Sequence, residues 1–212
     1  RLREERLASN EETDVLDFGA GSRKMKSSKR KISDIVQYSG MSEKFGMMLF
    51  RLIQKYKPNT ILELGTSLGL GTSYMSKANV KANVTTIEAC PFTAGIAAVN
   101  FQNLGIKNIH QIIGDIDEKL GGFISGISTL DFVYFDGNHQ KEATLKYFNM
   151  CKSKAHNDSI FCFDDIRWTK GMEEAWTYVK ADKDVTLTVD LFSSGVIFFK
   201  KELSKQDFIV KF

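Results

Sequence analysis

The stretch Ile61-Leu62-Glu63-Leu64-Gly65-Thr66-Ser67-Leu68-Gly69-Leu70-Gly71-Thr72 decides the fold of this chain. A short apolar run ends in an acid and is followed by a glycine-rich turn and a helix start. A parallel sheet builds a nucleotide-like pocket in this way at the end of its first strand. A second apolar run over residues 84–87 ends in Glu88, where a carboxylate can accept hydrogen bonds from ribose hydroxyls. The two features predict an enzyme that binds a cofactor.

The spacing of the glycines narrows the class of ligand. Gly65, Gly69 and Gly71 follow the pattern G-x-x-x-G-x-G, whereas the dinucleotide fingerprint is G-x-G-x-x-G with a pyrophosphate on the helix N-terminus. A phosphate-binding loop would carry Lys after its last glycine, but Thr72 stands there. Glu63 would repel phosphates and suits an ammonium group. A ligand with adenine, ribose and a cationic amino-acid end fits, and that ligand is S-adenosylmethionine.

Four motifs resemble those of class I S-adenosylmethionine-dependent methyltransferases and occur in the same order: Glu63-Leu-Gly65-x-x-x-Gly69, Glu88, Gly114-Asp115 and Asp131-Phe-Val-Tyr-Phe-Asp136-Gly137. The resemblance covers roughly residues 40–200. It implies that Glu63 and Gly65 bind the methionine end, that Glu88 holds the ribose and that Asp115 meets the adenine amino group. The remaining cofactor-binding candidates are Ser67, Gly69 and Asp136.

Five apolar runs without alternation predict strands that are buried on both faces: Thr60–Leu64, 84–87, Ile109–Ile113, 130–135 and 159–163. A helical pattern capped by Ser42 and ended by Pro58 precedes them, and further helical patterns separate them, one with a face of Phe92, Ile96 and Val99. Residues 185–191 and 196–200 predict a hairpin, and a short strand over 207–212 is compatible with the pattern. We predict an α/β fold that is Rossmann-like and doubly wound. Its mostly parallel, seven-stranded sheet ends in a C-terminal antiparallel hairpin.

Residues 1–40 differ from residues 41–212, which we interpret as the methyltransferase domain. The first segment is polar, and residues 23–31 contain six Lys or Arg. This run is either a patch for nucleic acid or a solvated arm. The second interpretation is favoured because no aromatic residues are interleaved and nearby acids offset the charge. Residues 16–22 imitate a strand followed by a glycine turn, but no apolar helix comes next, so we interpret them as a turn in the arm, folded over the substrate cleft.

The composition fits an ordinary globular enzyme. Net charge is +3, hydrophobic content is 42% and no run of eighteen apolar residues exists, so we expect no membrane partner and no strong attraction to nucleic acid. Cys90, Cys151 and Cys162 are odd in number and lie in or beside apolar runs, which favours reduced, buried thiols and a cytoplasmic location. The sequence leaves a homo-oligomer open.

Three acids predict a metal site. Asp136 ends the fourth strand, and Asp164 and Asp165 end the fifth, so the topology brings three carboxylates within reach of one ion. Oxygen ligands suit Mg²⁺ first, with Ca²⁺ or Mn²⁺ as alternatives. This arrangement resembles the catechol-type, metal-dependent O-methyltransferases. The alternative is that Asp136 faces the sulfonium or caps a helix, and that the acid pair caps the next one.

His139 is the candidate general base. It stands three residues after Asp136, in Asp-Gly-Asn-His, where the catechol-type enzymes place Lys, and the motif resembles a bacterial group marked by Asp-Gly-x-His. His139 either takes the acceptor's proton or is a structural residue of the turn. Trp168 either lines the acceptor pocket or is a packing residue of the core or the surface.

The sequence as a whole predicts an S-adenosylmethionine-dependent methyltransferase that methylates oxygen on a small hydroxylated molecule, with His139 and Asp136 as catalytic residues and a divalent cation assisting. One alternative is an RNA methyltransferase that uses the basic arm. Another is a non-catalytic binder of S-adenosylmethionine. The glycine spacing disfavours a nicotinamide dehydrogenase.

Overall fold

The computed structural model describes residues 2–16 and 27–211. Within these ranges the helices are α1 (Leu2–Leu7), α2 (Ile32–Tyr38), α3 (Glu43–Tyr56), α4 (Leu70–Ala78), α5 (Pro91–Asn103), α6 (Ile116–Ser125), α7 (Lys141–Lys152) and α8 (Lys170–Ala181). The strands are β1 (Glu12–Asp14), β2 (Lys29–Lys31), β3 (Thr60–Leu64), β4 (Asn83–Glu88), β5 (Ile109–Ile113), β6 (Phe132–Phe135), β7 (Ile160–Phe163), β8 (Leu187–Asp190), β9 (Gly195–Phe198) and β10 (Gln206–Ile209).

One large sheet organises the domain, with the strand order β10-β8-β9-β7-β6-β3-β4-β5. Strands β3 to β7 run parallel, and β9 pairs antiparallel with both β7 and β8. The predicted fold class, including the C-terminal hairpin, is confirmed. The sheet has eight strands rather than seven because β10 adds to its edge, parallel to β8.

The central strands are buried on both faces, as their unbroken apolar runs predicted. All four residues of β6 and all four of β7 are buried. One face of the sheet packs on a core that includes Phe148 and Trp176, and the other on a core that includes Leu49 and Ile53 of α3. Covering both faces with helices leaves the strand ends as the accessible part of the sheet.

The helical face predicted for α5 does not coincide with its buried side. Ile96 is partly buried against a core cluster, but Phe92 and Val99 are 46% and 49% exposed, and the buried side is formed by Ala94, Ala97 and Phe101 among others. The helix contains no charged residue, so the apolar period could not distinguish the two sides, and small residues let the helix lie close to the sheet.

The apolar helix α5 has 13 residues, which is too short to cross a membrane. None of the helices in residues 2–16 or 27–211 combines the length and apolar character needed to cross a membrane.

The described part of residues 1–40 packs on the domain. Ile35 and Val36 of α2 are buried against Leu68 and Leu70 of the glycine-rich turn. The boundary at residue 40 stays a prediction, and the part of the basic run and of the glycine turn that spans residues 17–26 lies outside the described residues. The described part is therefore placed to form one wall of any site at the strand ends.

All three cysteines are buried and free. This agrees with the prediction of buried, reduced thiols. Burial raises the pKa of both Cys151 and Cys162. A raised pKa disfavours the thiolate, so these two side chains act as apolar core residues.

Candidate active site

A cavity of about 440 Å³ opens at the carboxyl ends of the parallel strands. Eight of the predicted site residues line it: Gly65, Ser67, Glu88, Asp115, Asp136, His139, Asp164 and Asp165. Two others, Glu63 and Gly69, lie outside this lining. The topology explains the assembly, because parallel strands deliver every acid that follows a strand to the same edge of the sheet.

Gly65 forms the floor of the cavity where β3 ends. Its φ is +97°, and a Cβ there would overlap the carbonyl oxygen of Asp136. The Gly65 amide donates to the carbonyl of Ile87 (2.9 Å), and the Asp136 amide donates to the carbonyl of Leu64 (2.9 Å). The ends of β3, β4 and β6 are therefore held together by backbone hydrogen bonds, with no space for a side chain at residue 65.

We expect Gly65→Ala to lower the free energy of unfolding by at least about 2 kcal/mol, because it adds both backbone strain and overlap. Denaturant unfolding checks this value. Gly95→Ala is the matched control: Gly95 lies in α5, and a Cβ there has no atom within 4 Å. That change should raise the free energy of unfolding by up to about 1 kcal/mol. Equal effects of the two changes would contradict the packing argument.

Gly69 serves a steric role at the start of α4. It is the N-cap of the helix with φ of +76°, and a Cβ would overlap the ring of Phe101. Ser67, two residues earlier, also has a positive φ of 49°, and its amide donates to Glu88 Oε2 (2.7 Å). The turn is thus shaped by packing on α5 and by a hydrogen bond to the acid at the end of β4.

Glu88 and Asp115 lie at neighbouring strand ends on one side of the cavity. Glu88 accepts hydrogen bonds from the amides of Ser67 (2.7 Å) and Cys90 (2.9 Å), one on each carboxylate oxygen. Asp115 caps α6 and accepts from the amide of Asp117 (2.7 Å). Each oxygen that accepts one backbone hydrogen bond keeps a second lone pair. Both carboxylates can therefore hold a ligand while they are fixed by the backbone.

Glu63 is buried beneath the glycine-rich turn, with 1% of its surface exposed. It accepts hydrogen bonds from the hydroxyls of Thr72 and Thr86, the latter at 2.6 Å. Burial raises the pKa of Glu63 to about 8 and the charge of Glu88 adds to the rise, while the two threonine hydrogen bonds oppose it. The side chain lines a small pocket of about 20 Å³ that also touches Asp136 and lies beside the main cavity.

Three carboxylates crowd the other side of the cavity. Burial and the charges of Asp164, Glu63 and Asp165 raise the pKa of Asp136 well above its usual range. Burial and the charge of Asp165 raise the pKa of Asp164, although the hydroxyl of Tyr134 donates to Asp164 Oδ2 (2.8 Å). Close carboxylates disfavour one another's ionisation unless a positive charge compensates them.

His139 lies between two of these acids. Its Nε2 is 3.6 Å from Asp136 Oδ1 and 3.9 Å from Asp165 Oδ2. Asn138 and His139 both have positive φ, at 70° and 47°, so the turn aims the imidazole at the cavity. In the part of the chain that the structure describes, no group of three or more His, Cys, Asp or Glu side chains forms a candidate metal centre.

Leu16, the first residue of the turn predicted to fold over the substrate cleft, lines the cavity. Other parts of the wall were not predicted from the sequence: the described N-terminal segment also contributes Arg30 and Tyr38, and the hairpin between β8 and β9 contributes Ser193. These residues carry no motif, and they reach the cavity only through tertiary packing. Trp168 also lines the cavity, which agrees with the first of its two interpretations.

Comparison with known proteins gives consistent matches. A family model described as a methyltransferase domain matches residues 62–166. A relative named "Probable O-methyltransferase Rv1703c", from Mycobacterium tuberculosis, is 30% identical over 133 residues, which are 58% of this chain and 55% of the relative. The chain thus spans about half the length of this curated relative.

Solved structures with the same fold include two O-methyltransferases. The Bacillus cereus enzyme in complex with SAH has a TM-score of 0.66 at 18% identity, covering 76% of this chain and 83% of that one. TomG from Streptomyces achromogenes, involved in tomaymycin synthesis and in complex with SAM, has a TM-score of 0.67 at 17% identity, covering 76% and 82%. Together the matches confirm the resemblance to class I S-adenosylmethionine-dependent methyltransferases that the motifs predicted.

Proposed function

We propose that this chain is an S-adenosylmethionine-dependent O-methyltransferase that acts on a small hydroxylated molecule. The observation that carries the proposal is one cavity lined by the carboxylates of Glu88 and Asp115 on one side and by three carboxylates with a histidine on the other. We assign Glu88 to the ribose and Asp115 to the adenine. The name of the Mycobacterium tuberculosis relative and the cofactors in the two solved structures support it.

The cofactor end has a defined set of residues. Glu88 accepts hydrogen bonds from the ribose hydroxyls, and Asp115 accepts from the adenine amino group. Gly65 and Ser67 carry the backbone past the methionine end, because no side chain blocks the turn at residue 65. Glu63 accepts a hydrogen bond from the ammonium group from below the turn, through the small pocket beside Asp136. The bound cofactor supplies an electrophilic methyl group on a sulfonium.

The acceptor end is acidic, and carboxylate oxygens are the type of ligand that a hard divalent cation prefers. Asp136, Asp164 and Asp165 offer oxygen ligands. Burial raises the pKa of Asp136 and Asp164, repulsion between the carboxylates adds to the rise, and a cation would offset that repulsion. As they are placed, the three side chains form no ligand set, so binding would require them to rearrange. Mg²⁺ held there would supply the positive charge that lowers the pKa of an acceptor hydroxyl.

His139 and Asp136 complete the catalytic proposal. The imidazole of His139 takes the acceptor's proton, and Asp136 lies near enough to stabilise the imidazolium that results (3.6 Å). Methyl transfer is an in-line displacement, so the walls of the cavity contribute by holding the acceptor oxygen in line with the methyl group.

Calorimetry and a turnover assay test this function. We expect the protein to bind S-adenosylmethionine but not NAD, and to methylate catechol, a simple hydroxylated probe, with turnover that falls on chelation and returns with Mg²⁺. Unchanged turnover after chelation would contradict the metal assignment alone. Binding without turnover on a panel of hydroxylated compounds would favour a non-catalytic binder. Salt-dependent RNA binding that is lost on deletion of residues 23–31 would favour the RNA methyltransferase.

A further inference from the structure

A partly buried ion pair joins the loop after β7 to the β8–β9 hairpin, with Arg167 31% exposed and Asp190 almost fully buried. The guanidinium of Arg167 donates to both carboxylate oxygens of Asp190, Nη1 to Oδ1 and Nη2 to Oδ2, each at 2.7 Å. The indole Nε1 of Trp176 also donates to Asp190 Oδ2 (3.2 Å), and Asp190 is only 3% exposed. Parallel double hydrogen bonds of this kind fix direction as well as distance.

This pair joins two loops that are far apart in the sequence. Arg167 follows the acids at the end of β7, and it also donates to the carbonyl of Phe192 (2.7 Å) at the tip of the β8–β9 hairpin. The amide of Phe192 donates to Asp190 (2.9 Å), and the amide of Ile166 donates to the carbonyl of Ser193 (3.0 Å). We refer to Arg167, Asp190 and their bonds to Phe192 as the Arg167 clamp.

The joined loops carry cavity-lining residues, although Arg167 does not line the cavity itself. Asp164, Asp165 and Trp168 come from the first loop, and Ser193 comes from the hairpin tip. Asp165 and Phe192 both have positive φ, at 53° and 76°. Such conformations cost energy in residues other than glycine and persist only where the surroundings hold them. The clamp supplies those surroundings at Phe192, whose carbonyl accepts from Arg167 and whose amide donates to Asp190.

We infer that Arg167 and Asp190 are positioning residues for the methyl acceptor, because their clamp sets Ser193 and Trp168 against the acids at the end of β7. The inference rests on the proposed function and adds residues to it that no motif indicates. It places the hairpin tip in the part of the cavity wall that faces the methyl acceptor. Loss of the clamp should therefore lower kcat/KM for the acceptor and leave the affinity for the cofactor unchanged.

The order of the strands separates the two ends. Glu88 and Asp115 follow β4 and β5, whereas the clamp lies at β7, β8 and β9, with β6 and β3 in between. Loosening the clamp therefore changes one end of the cavity only. A role in general stability would affect both ends alike, which makes the contrast between them the informative measurement.

The experiment compares Arg167→Lys and Arg167→Gln with Lys200→Gln. Lys200 follows β9 at the end opposite the tip and pairs with Asp158 on the surface, so its loss removes an ion pair from the same hairpin without touching the clamp. We expect both Arg167 variants to lower kcat/KM for catechol by about tenfold or more, because Lys cannot form the parallel pair. Their affinity for S-adenosylmethionine and all parameters of Lys200→Gln should stay at the wild-type values.

Amide hydrogen exchange gives a second readout that needs no acceptor. In Arg167→Gln the amides of Ile166 and Phe192 should exchange about tenfold faster than in the wild type, since opening of the tip becomes easier. Wild-type kcat/KM in both Arg167 variants, or a parallel loss of cofactor affinity, would overturn the inference. A wild-type protein that methylates nothing would instead overturn the proposed function, and the exchange rates would still decide whether the clamp holds the tip.

Discussion

Glu88→Ala is expected to weaken binding of S-adenosylmethionine by roughly 100-fold. The carboxylate is fixed by the amides of Ser67 (2.7 Å) and Cys90 (2.9 Å), so it reaches the ribose without losing side-chain freedom on binding. Hydrogen bonds to a charged group contribute about 1.5–3 kcal/mol each, and the loss of two of them at the lower end of this range gives roughly this factor. Titration calorimetry measures the change directly.

The same substitution has a structural effect that must be separated from the ligand effect. Without Glu88 the amides of Ser67 and Cys90 lose their partners, which loosens the glycine-rich turn. Glu88→Gln separates the two effects, because its amide oxygen keeps one backbone hydrogen bond while the charge is lost. We expect an intermediate affinity for Glu88→Gln. Glu174→Ala, which removes an exposed acid of α8, should bind as the wild type does. Wild-type affinity in Glu88→Ala would remove the ribose assignment.

The sheet was predictable because its physical causes are local. Strands that are buried on both faces need unbroken apolar runs, and β6 and β7 have them. The turn after β3 needs residues that tolerate positive φ, and Gly65 and Gly69 supply them. Alignment of strand ends then places Glu88, Asp136 and Asp164 on one edge without further information.

The rest of the site depends on contacts that have no local signal. The sequence of α5 contains no charged residue that would mark its exposed side, so its buried side could not be predicted, and Phe92 is exposed. The buried position of Glu63 depends on the hydroxyls of Thr72 and Thr86, which lie on different elements. The Arg167 clamp joins residues separated by a whole helix and strand, and either sequence segment alone gives no reason to expect it.

The second large effect that we expect is a pH dependence of the unfolding free energy caused by Glu63. Below pH 4.5 this carboxyl is protonated in both the folded and the unfolded chain, so it adds no pH dependence there. Between pH 4.5 and about 8 the unfolded chain releases the proton while the folded protein keeps it, because burial has raised the pKa to about 8. Rising pH therefore favours the unfolded state across this range, and the effect levels off above it.

Glu63→Gln should remove this part of the pH dependence, since an amide fills the same space and cannot ionise. A shift of this size corresponds to roughly 4–5 kcal/mol at most, so the wild type should lose several kcal/mol of unfolding free energy between pH 5 and 8.5 that the variant retains. Denaturant unfolding at both pH values measures it. The pKa values of Asp136 and Asp164 are also raised, so the unfolding free energy of the variant will still fall somewhat as the pH rises. Glu118→Gln, at an exposed position on α6, should keep the wild-type slope. If Glu63→Gln also keeps the wild-type pH dependence of the unfolding free energy, Glu63 is ionised in the folded protein, and a neighbouring group must stabilise its negative charge.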